Sequence, residues 1–85
     1  MSRIADRYPP HLRPDTRANI LLAAEKDGRM HPGGGYGAYF EAAMQLVKEG
    51  FLAYSSYGPG WLDLTEQGRQ ALRRIHEARH YKGNQ

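Results

Sequence analysis

Four glycines stand among the six residues "PGGGYG", positions 32–37. Each Gly inside a helix costs about 1 kcal/mol relative to Ala, so no helix crosses this stretch. It must be a loop, and it separates an N-terminal helix from everything that follows. With 85 residues in total, the chain has room for one small domain and little room for a deep catalytic cleft. It has no cysteine, which excludes a disulfide frame and a thiolate metal site. No apolar run approaches a membrane span and no signal peptide opens the chain, so a cytoplasmic protein is expected.

Before the loop, residues 1–13 ("MSRIADRYPPHLR") read as an arm, with one helical turn near Ile4–Tyr8 stopped by Pro9 and Pro10. A first helix is expected from Pro14 or Asp15 to Lys26. Asp15 caps it, and Ala18, Ile20, Leu21 and Ala24 form its apolar stripe. Asp27-Gly28 ends it, and "RMH" at 29–31 makes a short strand.

After the loop, "AYFEAAMQLVKE" (38–49) is a second helix closed by Gly50. Tyr36, Tyr39, Phe40, Ala43, Leu46 and Val47 are expected to face inward. Ala38, Glu41, Ala42, Gln45, Lys48 and Glu49 are expected on the outer face. "FLAYSSY" and "WLDL" flank the turn "GPG" and make a hairpin. Thr65 caps a third helix, whose buried side runs through Gly68, Ala71, Leu72, Ile75 and Ala78. The domain is expected to span 14–81, with 82–85 as a frayed tail. The fold class is α+β: three helices with a two-stranded β-hairpin.

The order helix, short strand, helix, hairpin, helix is that of a small winged helix. "LVKEGFL" followed by "LDLTEQGRQAL" resembles bacterial and phage transcriptional regulators of the MarR and PadR type. The first segment is similar to a recognition helix running into the wing. The second is similar to the wing's return strand and the helix after it. The resemblance covers about residues 15–75. Those families place a further helix where this chain has "RMHPGGGYG", so the helix-turn-helix is truncated. The resemblance implies DNA as partner, and a homodimer formed through the end helices.

The charge agrees with an anionic partner. Net charge is +3, with a pI near 9.5. Basic residues gather at the two ends: Arg3, Arg7, Arg13 and Arg17, then Arg69, Arg73, Arg74, Arg79 and Lys82. The middle is slightly acidic. The candidate DNA-binding residues are Arg69, Arg73, Arg74, Arg13 and Arg17 for phosphates. Gln45 would pair with adenine and Lys48 with guanine or phosphate. The N–H groups that open the second helix can hold a phosphate.

A second reading is protein binding. The hairpin tip "YSSYGPGW" has no Lys or Arg. Its Tyr54, Tyr57 and Trp61 stand among Ser and Gly, as in protein-binding paratopes, and Tyr36 extends the set. Tyr57, beside Gly58-Pro59-Gly60, is expected to be largely exposed. Such a module would act as an adaptor or a phage-type inhibitor.

Two motifs point to enzymes and are set aside. "HEARH" (76–80) has the spelling of a zinc-protease helix, in which two His four apart share a metal. It lies near the chain end with Arg69 and Arg73 on its line, and only His11, His31 or an upstream carboxylate is left as a third ligand. It reads as a solvated basic face. "PGGGYG" ends in Gly-Ala, whereas a P-loop ends in Gly-Lys-Ser/Thr. No catalytic residue, metal or cofactor is expected.

Overall fold

The computed structural model describes residues 14–35 and 37–83. The arm 1–13 with its expected turn at Ile4–Tyr8, His11, Arg13, Tyr36 and residues 84–85 lie outside the described residues. The elements in chain order are α1 (Pro14–Glu25), β1 (Arg29–Met30), α2 (Ala38–Lys48), β2 (Leu52–Tyr54), β3 (Leu62–Leu64) and α3 (Glu66–Gly83). The chain is α+β with three helices, as expected.

The sheet differs from expectation. It has three antiparallel strands in the order β1-β3-β2, where a two-stranded hairpin was expected. β1 pairs with β3 through Arg29–Asp63 and Met30–Leu62. β2 pairs with β3 through Leu52–Leu64, Ala53–Asp63 and Tyr54–Leu62. A two-residue strand has too few positions to show alternation, so its pairing is set by the neighbouring β3. The Leu64 N–H also donates to the Gly28 carbonyl at 2.9 Å, which extends the β1–β3 seam.

One core joins all six elements. It contains Ile20, Leu21 and Ala24 of α1, Met30 of β1, Ala42, Ala43 and Leu46 of α2, Leu52 of β2, Leu62 and Leu64 of β3, and Leu72 of α3. No polar or charged residue is buried among the described residues. Two residues of α2 trade places with expectation. Ala42 is fully buried, whereas Tyr39 is exposed. The face of α2 is centred on Ala42, Ala43 and Leu46, and Tyr39 lies a turn before it, beyond the reach of the core. On α3 the buried side ends at Ile75: Ala78 is exposed. α3 continues through Gly83.

The joint between α2, the hairpin and α3 follows from a few residues. Gly50 has φ +92° and closes α2, with its N–H on the Val47 carbonyl and the Phe51 N–H on the Leu46 carbonyl. These two bonds are the pattern of a Schellman cap. Thr65 caps α3. Its hydroxyl accepts from the Gly68 N–H at 3.0 Å and donates to the Gly50 carbonyl at 2.7 Å. One side chain therefore satisfies an open N–H of α3 and ties it to the end of α2.

Candidate functional site

Three groups of polar and aromatic side chains stand on the surface, and the expected DNA-contacting residues divide among two of them.

The first group is on α1 and α2. Arg17 makes a two-armed contact with Glu49, at 2.5 and 3.3 Å. Gln45 donates to the same carboxylate at 2.8 Å. The Arg17 guanidinium also lies 6.0 Å from the centre of the Phe51 ring. The Arg17 hydrogen bond first, and then that of Gln45, holds the Glu49 carboxyl below its ordinary value of 4.5. Arg17 thus braces α1 against the end of α2, and Gln45, one turn before Glu49, steadies the carboxylate. A duplex that used either side chain would have to displace this network. Lys48 is exposed at the end of the same helix. The N-terminus of α2 opens at Gly37 without a side-chain cap.

The second group is on α3. Arg69, Arg73 and Arg74 are all exposed. Arg69 and Arg73 line a cleft of about 400 Å³ with Glu25, Glu66 and His76, over Leu64 and Leu72. Arg73 is within 3.7 Å of Glu66, a solvated pair that leaves its charge available. Arg74 shares a shallow hollow with Arg73 and also borders a groove of about 460 Å³ between α1 and α3. Leu21, Leu46, Phe51, Ala71 and Ile75 give that groove an apolar lining.

His76, the first histidine of "HEARH", has a partner that the motif does not announce. Its Nε2 lies 2.9 Å from each carboxylate oxygen of Glu25, at the end of α1. The contact bridges α1 and α3 at the solvent-exposed surface. Among the described residues, no group of three or more His, Asp or Glu is placed to hold a metal ion.

The third group is at the hairpin tip, where the expected aromatic set divides. Tyr54 pairs in register with Leu62 and so shares the core side of the sheet. It runs out past the core, is 73% exposed, and sets its hydroxyl 3.8 Å from the Met44 sulfur on α2. Tyr57 and Trp61 belong to a different cluster. Their rings meet edge to face at 5.1 Å, and Trp61 meets His31 in the same manner at 5.4 Å. The Arg29 guanidinium lies over the Tyr57 ring, 4.2 Å from its centre. Tyr57 is 63% exposed, as expected. Arg29 and His31 come from β1 and the residue after it. Sequence reasoning missed both, because only the β1–β3 register brings them to the tip.

Hydrogen bonds fix this cluster from below. The Gly33 N–H donates to His31 Nδ1 at 3.0 Å. The Tyr57 N–H donates to Ser55 Oγ at 3.0 Å, and the Ser55 N–H donates to the Trp61 carbonyl at 3.0 Å. Among the described residues, no helix is long and apolar enough to cross a membrane. Comparison with protein-family models, with curated proteins and with solved structures finds no match.

Proposed function

We propose that this chain is a small winged-helix protein that binds DNA, a regulator of the bacterial or phage MarR and PadR type. The observation that carries this reading is the pairing of β1 with β3. Through it, the order helix, strand, helix, hairpin, helix closes into a single sheet beside a helical layer. The function follows from the fold by analogy. With Arg17 and Gln45 committed to Glu49, the charge that meets phosphate comes from Lys48, Arg69, Arg73 and Arg74. Contacts of that kind fix position on the duplex and carry little sequence information. The apolar groove between α1 and α3 supports pairing of two copies through the end helices.

Fluorescence anisotropy with random duplex DNA, over a series of salt concentrations, tests the reading. Affinity must fall steeply as salt rises, because bound phosphates release counterions. Arg73→Ala with Arg74→Ala should weaken binding to every sequence and reduce the salt slope by about 1 to 2. Absence of binding at low salt would refute it. Sedimentation of the same samples reads the oligomeric state.

A second reading, a protein-interaction module, is favoured by the hairpin. Two of its tyrosines are more than half exposed, and residues 50–64 contain no Lys or Arg. Tyr57→Ala separates the two. It abolishes a protein contact centred on the tip and leaves a charge-driven DNA contact nearly intact.

A further inference from the structure

We infer that Arg29, Tyr57, Trp61 and His31 form a docking site for a carboxylate on a partner protein, the Arg29 guanidinium taking an exposed Asp or Glu side chain. The inference rests on the protein-interaction reading and names its chemistry.

Arg29 is the centre of the argument. Its Cα partner across the sheet is Asp63, on the same outer face. An Arg beside an Asp ordinarily forms an ion pair. Here the guanidinium lies over the Tyr57 ring instead, and among the described residues it has no carboxylate and no hydrogen-bond acceptor. Its Nε is buried without a partner. Leaving a buried donor unpaired is costly, so the stacked position must be held by the surrounding rings. The result is a planar cation fixed in orientation, with its terminal N–H groups uncommitted. That is the arrangement that receives a carboxylate in a two-armed hydrogen bond.

The surroundings decide which anion. A polyanion such as nucleic acid is held by several cations, yet in the cluster of Arg29, Tyr57, Trp61 and His31 the one Lys or Arg is Arg29. Asp63 on the same face disfavours further anionic groups beside the one that Arg29 receives. A single carboxylate set in an otherwise apolar surface fits better. Tyr, Trp and Arg are the side chains that dominate protein interfaces, and here they come already locked together. His31 is held by Gly33 and packs against Gly60, so the rim is fixed too.

The test is a titration of the full chain, labelled with ¹⁵N, watched at the Arg29 Nε–H and Trp61 Nε1–H signals. The probes are a short blocked peptide with one central Glu among small apolar residues, its twin with Gln in place of Glu, and inorganic phosphate. The Glu peptide should shift both signals saturably, with affinity about tenfold above the Gln twin. Arg29→Lys and Arg29→Gln should each remove that preference, and Tyr57→Phe should keep it. Unchanged amide spectra in the variants show that each remains folded. Equal binding of the two peptides would overturn the carboxylate inference and leave the protein-interaction reading standing. No shift with either peptide would remove both. Tighter binding of phosphate than of the Glu peptide would also overturn the inference and return the tip to the DNA reading.

Discussion

Gly68 is enclosed by Phe51: a Cβ at position 68 would run into the Phe51 carbonyl oxygen and stand 2.6 Å from Leu64 Cδ1. The contact is with backbone, which cannot swing aside. Helix propensity alone predicts that Gly68→Ala would stabilise α3 by about 1 kcal/mol. Packing reverses the sign. Gly68→Ala should destabilise the protein by about 1 to 3 kcal/mol, as overpacked cores do. Denaturant unfolding measures it, with exposed Gln70→Ala as the control, expected within about 0.5 kcal/mol of the parent.

Thr65 is the other half of that joint. Thr65→Val keeps the shape of the side chain and removes both hydroxyl bonds, one to the Gly50 carbonyl and one from the Gly68 N–H. The expected loss is about 1 to 2 kcal/mol, with Thr65→Ser close to the parent. A lowered thermal midpoint for Val and not for Ser is the outcome to look for.

Glu49 makes stability depend on pH in a stated direction. Its folded pKa lies below 4.5 because Arg17 and Gln45 bond to the ionised form. A depressed carboxyl pKa stabilises the fold above the unfolded value, and this contribution is lost as pH falls through the folded value. Glu49→Gln should therefore be less stable than the parent at neutral pH, and the two should converge in acid below 4.5. A difference that persists unchanged in strong acid would show that the loss is steric.

The Glu25–His76 contact is exposed and should be worth little. A double-mutant cycle with Glu25→Gln and His76→Gln should give a coupling of about 0.2 to 1 kcal/mol. Thermal melts with excess chelator and with added zinc should superimpose, since the core is built without these side chains. A large loss of stability under chelator would reopen the metal reading of "HEARH".

What could be read from the sequence was the part written in local chemistry. The stripe Ile20, Leu21 and Ala24 marks α1 by its spacing. Gly50 closes α2 because of its backbone freedom, and Thr65 announces α3 by its hydroxyl. What could not be read depends on partners distant in the chain. Ala42 carries too little apolar surface to signal burial, and Tyr39 too much to suggest exposure. The two residues of β1 have no pattern of their own to show where they pair, so the short strand expected at 29–31 had no place in the sheet. With it went the site built on that strand: nothing near Arg29 in the sequence points to Tyr57. Tyr54, Tyr57 and Trp61 look like one patch because they are close in sequence, yet the fold sends Tyr54 toward α2 and the other two toward β1.

The central place of β3 has a consequence for how the molecule is made. A ribosome releases α1 and β1 long before the strand that they need. Until β3 emerges, β1 has no neighbour in the sheet, and Met30 has no Leu62 to lie beside. β2 waits for the same strand from the other side. The nascent chain therefore carries two unmatched strand edges and a half-built apolar layer, the condition in which chains recruit chaperones or one another. Both edges are satisfied at once when Leu62–Leu64 arrives, so the sheet should assemble in a single step once that strand is free of the ribosome.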